Sequence, residues 1–394
     1  MNNESYLKIG QDCIMKNVGR LPIVFSRGEG SRLWDADGKE YIDFLTGISV
    51  DNFGHCHPEI TVALAKQAEK LLHVSNYFYM EEQIELAEEL VKLSGYQQVF
   101  FCNSGAEANE AAIKLARKYG KTVLGGKYQI VTAKSSFHGR TLGALSATGQ
   151  PKYQESFQPV VPGFVYAEYN NLDAWKAAIT DQTCAIMLEL VQGEGGVNPA
   201  SAEFIKGLLD LCRKHDLLFM VDEVQTGLGR TGKLFAYEHY NFKPDLITIA
   251  KSLGGGIPCG ALLVNERANI FTPGDHSTTV GGGGMAFAAG LVTLKLLQQP
   301  GLMVEVIKKG QYIKDTWEEW RKTIPVIKGY RGLGLMLALE LTVPSKQVLL
   351  ACLDEGLIVN AVTENTLRLL PALNIDKNDL DEGLTILRKV LKQF

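Results

Sequence analysis

The sequence has no two cysteines in a C-x-x-C arrangement; its seven stand far apart at 13, 56, 102, 184, 212, 259 and 352, and their number is odd. That argues against a disulfide framework or a zinc site and for a reducing compartment. No apolar run approaches the roughly 18 residues of a membrane helix, and residues 1–5 carry neither a basic start nor an apolar stretch. The expectation is a cytoplasmic protein without membrane contact. Basic excess is missing too: the net charge is −4, which leaves no electrostatic footprint for nucleic acid. There is no G-x-x-x-x-G-K-[ST], and no G-x-G-x-x-G follows an early strand, which argues against a P-loop and against a nicotinamide oxidoreductase. Repeats, low-complexity tracts and charge blocks are also lacking. Small, soluble ligands remain.

What is present is a chain of 394 residues, 46% hydrophobic and 21% charged, long enough for a large core and two or three domains. Its organising stretch is 245–256, Asp-Leu-Ile-Thr-Ile-Ala-Lys-Ser-Leu-Gly-Gly-Gly, a buried strand that ends with Lys251 pressed against glycines. Most lysines at strand ends are simply exposed. One drawn out of water has its pKa lowered, and its neutral amine becomes a nucleophile.

Taken in order, residues 31–44 read as a hairpin about Asp37-Gly38, a favoured two-residue turn. His55 and His57 have no third ligand nearby, so no metal site is expected. Amphipathic helices are expected at 59–73 and 81–94. A strand at 98–103 runs through Ser104-Gly-Ala into a helix at 109–119, and such a helix start suits a phosphate, although a plain capped helix has the same pattern. Strands at 128–133, 184–188, 217–221 and 246–250 alternate with helices such as 202–215. This predicts an α/β fold, a mainly parallel sheet covered by helices on both faces. Ligands sit beyond the carboxyl ends of such strands, and Glu189, Asp222 and Lys251 each close one. A glycine run at 281–284 opens a long helix at about 285, and helices extend to about 322. Beyond them a strand is expected at 329–341, a helix at 345–355, short strands at 357–361 and 366–370, and a terminal helix at 379–394. The chain is thus divided into an N-terminal segment with a small hairpin (1–50, part of the small domain), a large ligand-binding domain (51–300) and a C-terminal α+β domain (301–394).

A phosphate cradle, a carboxylate able to face a ring nitrogen, a flat aromatic and a dry lysine together meet the needs of pyridoxal 5'-phosphate. In this order, Phe101-Cys-Asn-Ser-Gly-Ala-Glu-Ala-Asn-Glu, Ser136-Phe-His-Gly-Arg-Thr, Gln192-Gly-Glu-Gly-Gly-Val, Asp222-Glu-Val-Gln-Thr-Gly and Ala250-Lys-Ser-Leu-Gly-Gly-Gly resemble fold-type I pyridoxal-phosphate transferases. Within them, the chain resembles the class III aminotransferases of the acetylornithine type from about residue 25 to the terminal helix. The resemblance implies Lys251 as Schiff-base lysine and proton shuttle, Asp222 as partner of the pyridine nitrogen, Gln225 on the ring hydroxyl and Phe137 stacked on the ring. It implies Ser104, Gly105 and Ala106 as phosphate ligands, joined by Thr279 of a second subunit in a homodimer with shared active sites. It further implies Arg140 for the distal carboxylate of either substrate, Arg368 for the near carboxylate of glutamate, and Glu194 as the partner of Arg368, whether as a switch or as a fixed pair. The implied reaction moves the terminal amino group of N2-acetylornithine to 2-oxoglutarate. Other ω-amino donors and a non-catalytic cofactor-binding protein are the alternatives. Two departures from the resembling family stand out: Gly283-Gly284 where Asn-Pro is usual, and Leu190 where proline is usual.

Overall fold

The apolar runs of the sequence come together in a seven-stranded sheet in the computed structural model, which describes residues 1–394. Across the sheet the order is Gln98–Cys102, Gly260–Val264, Leu246–Ile249, Leu218–Asp222, Thr183–Leu188, Gln129–Ala133 and Phe164–Ala167. All neighbours pair in parallel except Gly260–Val264, which is antiparallel to both of its own. The mainly parallel sheet is therefore present, and the reversed strand and the edge strand Phe164–Ala167 are not among the expected ones. The reversal follows from the connection 250–259, which is shorter than the dozen or more residues a parallel crossover needs.

Both faces of the sheet are covered, and the alternation along one strand shows how. Leu218 and Met220 pack in a cluster with Ala111, Ala112, Leu115 and Ala116 of the helix Gly105–Thr122. Phe219 and Val221, pointing the other way, join the main core with Phe204, Leu208 and Leu211 of the helix Ala202–His215. Burial on both faces is why these strands read as continuous apolar runs. The first helix begins at Gly105, earlier than expected from periodicity, because the Ser104 side chain accepts the Glu107 N–H at 3.2 Å and caps it.

The N-terminal hairpin pairs Arg32–Asp35 with Glu40–Asp43, and Glu40–Asp43 pairs in parallel with Leu357–Ile358. Its turn is not the expected two-residue one. Asp35 N–H donates to Lys39 O and Gly38 N–H to Asp35 O, which makes a three-residue loop over 36–38 with Gly38 at φ 86°. The expected strand at 329–341 is two antiparallel strands, Ile327–Leu333 and Met336–Leu341. Their turn hides inside an apolar run, marked only by Gly334 at φ 53°, where a Cβ would lie 2.4 Å from the Thr231 carbonyl carbon. The stretch 357–361 also divides: Leu357–Ile358 joins the N-terminal sheet, while Asn360–Thr363 pairs with Thr366–Leu369. No single helix is long and apolar enough to cross a membrane.

Between these sheets lies Arg230, wholly buried. It donates to Ser49 Oγ (2.9 Å), Leu335 O (3.1 Å), Pro371 O (2.6 Å) and Asn52 Oδ1, so one guanidinium binds three separate stretches of chain. Replacing it by Met keeps the volume but strands these buried acceptors, each worth about 1–3 kcal/mol. Arg230→Met is expected to lower stability by roughly 3 kcal/mol or more, read as a lower urea midpoint with an unchanged slope. A midpoint within error of wild type would show that the junction does not depend on Arg230.

Candidate active site

The carboxyl ends of the parallel strands open on a cavity of about 630 Å³, lined in part by Lys251, Asp222, Glu189 and the start of the helix Gly105–Thr122. Lys251 lies just past the strand Leu246–Ile249, in a short turn Lys251–Gly254, with φ 45°. For a residue with a side chain that conformation costs about 1–2 kcal/mol. Burial pushes the Lys251 ammonium below its usual range, while Asp222 pulls the other way. Its amine has no ion-pair or hydrogen-bond partner within the chain.

Asp222 ends its own strand and is buried. Oδ2 accepts a hydrogen bond from Asn109 Nδ2 (2.8 Å) and lies 2.8 Å from His138 Nδ1; Oδ1 accepts the Val224 N–H at 3.0 Å. Asn109 also donates to His138 O (2.7 Å) and accepts from Thr248 Oγ1 (2.7 Å). Burial alone would lower the pKa of His138, but the hydrogen bond and charge of Asp222 outweigh it and raise it overall. His138 Nε2 is buried without a partner.

The helix start supplies a second kind of group. Its first intrahelical hydrogen bond runs from Ala108 N–H to Ser104 O, which leaves the N–H groups of Gly105 and Ala106 beside the cavity. A Cβ at Gly105 would lie 2.7 Å from Val224 Cγ1, so only glycine lets the helix start sit this close to the Asp222 turn. This is the arrangement that suits a phosphate.

Glu189, buried at the end of Thr183–Leu188, accepts Phe137 N–H (3.0 Å) and Gly193 N–H (3.1 Å). It thereby fixes the backbone that presents Phe137 to the cavity. Burial pushes the Glu189 carboxyl up to about 7; His138 opposes the shift and Asp222 adds to it. Arg140 is exposed and has no acid partner; its guanidinium lies 4.0 Å from the Tyr153 ring centre and 5.5 Å from that of Phe137. Arg368, on the strand Thr366–Leu369, is wholly buried. Its Nη1 donates to Glu194 Oε1 (2.8 Å) and Gln225 Oε1 (3.1 Å), and Nη2 to Asn360 Oδ1 (2.8 Å). Glu194 and Gln225 line the cavity and screen Arg368 from it.

The structure thus brings Ser104, Gly105, Ala106, Phe137, Arg140, Glu194, Asp222, Gln225 and Lys251 to one cavity, with Arg368 directly behind. Thr279 is not among them: it is exposed and outside the cavity of its own chain. The sequence assigns no role to Asn109, His138 or Tyr153, and gives Glu189 only a place at a strand end beside Asp222 and Lys251. A polar Asn109 on an alanine-lined helix face was a signal, and His138 stood inside a motif already singled out. Tyr153 gave none.

Residues 13–391 match the family Aminotransferase class-III. Acetylornithine aminotransferase of Caldanaerobacter subterraneus subsp. tengcongensis is 48% identical over 383 residues, 97% of this chain and 98% of its own. That of Methanocaldococcus jannaschii is 44% identical over 396 residues, with 100% of both chains covered. Among solved structures, N-acetylornithine aminotransferase from Stenotrophomonas maltophilia K279a superposes with a TM-score of 0.85 at 36% identity, covering 98% of this chain and 99% of that one. Ornithine aminotransferase from Toxoplasma gondii ME49 does so at 0.95 and 31% identity, covering 99% and 95%.

The raised carboxyl of Glu189 has a thermodynamic signature. A carboxyl held more tightly protonated in the folded state contributes stability below its ordinary pKa and loses it as pH rises through about 7. The stability of wild type minus that of Glu189→Gln is therefore expected to fall between about pH 4.5 and pH 7 and to level off above. Paired denaturation curves across that range test it; a flat or rising difference would mean that Glu189 is ionised throughout.

Proposed function

The chain belongs to the class III aminotransferase family, and from that premise we propose that it moves the terminal amino group of N2-acetylornithine to 2-oxoglutarate. The products are N-acetylglutamate 5-semialdehyde and glutamate, a step of arginine biosynthesis. The observation that carries this reading is the unlike treatment of two arginines at one cavity, Arg140 open and unpaired, Arg368 buried and masked by Glu194. One site must accept acetylornithine, whose carboxylate is far from its reacting amine, and glutamate, which has a carboxylate at each end. Arg140 suits the distal carboxylate of both by bidentate contact. Arg368 suits the near carboxylate of glutamate alone, and Glu194 neutralises it when an uncharged methylene stands there instead.

The family depends on pyridoxal 5'-phosphate, and the cavity residues fit it. The Gly105 and Ala106 N–H groups with Ser104 suit the phosphate, and the bare Gly105 lets this helix start pack against Val224 beside Asp222. Asp222 suits the ring nitrogen, Gln225 the ring hydroxyl, Phe137 the ring face, and the unpartnered amine of Lys251 the aldehyde. Bound there, the cofactor supplies an electron sink conjugated to the carbon that bears the reacting amine. Lys251 Nζ, whose charged form burial disfavours, would remove the proton from that carbon and return it to the other end of the transfer. Asp222 would face the ring nitrogen, its carboxylate fixed by Asn109, His138 and the Val224 N–H.

We further infer a homodimer in which Thr279 reaches the phosphate site of the other subunit. Exposed Tyr77, Phe78 and Tyr79 flank a hollow of about 710 Å³ that also touches Ser277, and a second copy would cover them. Residues 51–300 serve as the cofactor-binding domain and 1–50 with 301–394 as the smaller one, supported by the pairing of Glu40–Asp43 with Leu357–Ile358. A cytoplasmic location is supported by seven unpaired cysteines. Ornithine as donor is the second reading, favoured by the superposition on ornithine aminotransferase.

A donor panel with 2-oxoglutarate separates the two. The kcat/KM for N-acetylornithine is expected to exceed that for ornithine by about tenfold or more, the scale of one good contact; the reverse order would hand the function to ornithine. Borohydride treatment of the yellow enzyme should fix the cofactor to the peptide containing Lys251, and Lys251→Ala should retain non-covalent cofactor while losing turnover. Labelling of another lysine would overturn the assignment.

Single-turnover rates of the two half-reactions test the arginines. Arg368→Ala should slow the glutamate half-reaction by roughly a hundredfold and the acetylornithine half-reaction far less. Glu194→Ala should shift the ratio the other way, in favour of glutamate. An unchanged ratio in Glu194→Ala would leave the pair as scaffold.

A further inference from the structure

We propose that Tyr153 is a positioning residue for substrate binding: its ring holds the Arg140 guanidinium at the cavity mouth, oriented for the carboxylate distal to the reacting amine. The inference rests on the reading of Arg140 as the anchor of that carboxylate. Nothing in the sequence motifs assigns Tyr153 a part.

Arg140 would otherwise be a poor anchor. It is exposed, no carboxylate of the chain pairs with it, and its long side chain has many rotamers to lose on binding. What restrains it is aromatic. The guanidinium carbon sits 4.0 Å from the centre of the Tyr153 ring, in the range where the negative ring face attracts a cation. Phe137 is farther, at 5.5 Å, and meets Tyr153 edge-on with ring centres 6.1 Å apart and planes at 84°. A guanidinium resting on a ring face keeps its N–H donors in its own plane, turned outward where a carboxylate can take two of them. Lys152 Nζ approaches the same ring at 4.8 Å, so the ring gathers two cations where an acidic substrate enters.

The platform beneath is rigid, as an anchor requires. Tyr153 belongs to the short helix Pro151–Gln154, and its N–H donates to Gln150 O at 3.0 Å. Gln150 Nε2 donates to Ser136 O (2.9 Å), tying this helix to the loop that carries Phe137 and Arg140. Gln154 Nε2 donates to Leu145 O (3.1 Å) and Thr148 O (2.7 Å), tying it to the helix Leu142–Ala147 that follows Arg140. On the far side of Arg140, Glu110 Oε1 accepts Thr141 Oγ1–H (2.6 Å) and Ala144 N–H (3.0 Å). The backbone distance from 140 to 153 is thus set by hydrogen bonds within the chain, those of Gln150 and Gln154 buried, and substrate binding does not have to create it.

The test compares Tyr153→Leu, Tyr153→Phe, Arg140→Ala and the double variant Tyr153→Leu/Arg140→Ala in the holoenzyme. The readouts are KM and kcat for N-acetylornithine and 2-oxoglutarate, and the inhibition constant of glutarate, a dicarboxylate that cannot react. Tyr153→Leu should raise both KM values and the glutarate constant by about three- to tenfold, the scale of a partly desolvated cation–π contact, with kcat changed less than about twofold. Tyr153→Phe, which keeps the ring face, should restore wild-type values, and in the double variant Tyr153→Leu should add nothing to Arg140→Ala. If Arg140→Ala weakens glutarate strongly while Tyr153→Leu leaves it unchanged, the proposal falls and the role of Arg140 stands. If Arg140→Ala leaves glutarate and both KM values unchanged, the role of Arg140 itself fails and the proposal with it. A Tyr153→Leu effect that persists undiminished in the double variant, or that appears in kcat, would make Tyr153 a packing residue and overturn the proposal.

Discussion

A buried carboxylate at the end of a sheet strand is tolerated only when its oxygens are occupied, and Asp222 meets that constraint with partners drawn from three directions. Asn109 comes from the helix Gly105–Thr122, His138 from the loop that carries Phe137 and Arg140, and the Val224 N–H from the turn that leads to Gln225. Satisfying one side chain therefore fixes the helix start, the aromatic wall and the Gln225 turn relative to one another. Thr248, paired in register with Asp222 across the sheet, bonds to the same Asn109, and Lys251 follows a few residues later on that strand's exit. The amine is placed by the same network that places the carboxylate.

Much of this could be read from sequence, because the strands are buried on both faces and carry near-continuous apolar runs. Ligands gather at the carboxyl ends of such strands, so Glu189, Asp222 and Lys251 could be aligned without knowing a single distance. What escaped was of two kinds. Gly260–Val264 and the turn at Gly334 lie in apolar or glycine-rich sequence whose local pattern fits several conformations, and tertiary pairing decided between them. The partners of Asp222 escaped for a different reason: a hydrogen bond between residues 109, 138 and 222 leaves no trace in spacing. His138 was visible as part of Phe-His-Gly-Arg, but only its 2.8 Å approach to Asp222 says what it does.

One stretch of strained backbone borders the cavity. Thr46, Gly47, Ile48 and Ser49 all have φ between 48° and 64°, a left-handed turn in which three residues bear side chains. Each of those costs about 1–2 kcal/mol, so the surroundings must over-determine the turn. They do: Asp43 Oδ1 accepts the N–H groups of Leu45 (2.7 Å) and Thr46 (3.0 Å), Thr46 Oγ1 donates to Leu370 O (2.8 Å), and Arg230 donates to Ser49 Oγ. The turn presents Gly47 and Ile48 to the cavity that Lys251, itself at φ 45°, also lines. Hydrogen bonds at the junction of the sheets thus hold in place a wall that the local sequence would not adopt by itself.

On the proposed reading, Arg140 in the cavity and Arg368 behind it divide one binding problem by charge and burial. Arg140 can stay unpaired because water and aromatic faces solvate it, and nothing must be displaced before a carboxylate arrives. Arg368 has no exposed side-chain surface, so it cannot be left without a counter-charge. Its partner can move where it cannot: the Glu194 side chain is 29% exposed, so its carboxylate already reaches solvent while the guanidinium is locked by Gln225 and Asn360. The glycines beside Glu194 restrict how it could leave. A Cβ at Gly193 would lie 2.4 Å from Gln225 Oε1, and one at Gly195 would lie 2.7 Å from Ser135 O, so the backbone on each side is pressed against its neighbours. Rotation of the side chain towards solvent, with the backbone held, is then the motion by which a substrate carboxylate could replace that of Glu194 on Arg368.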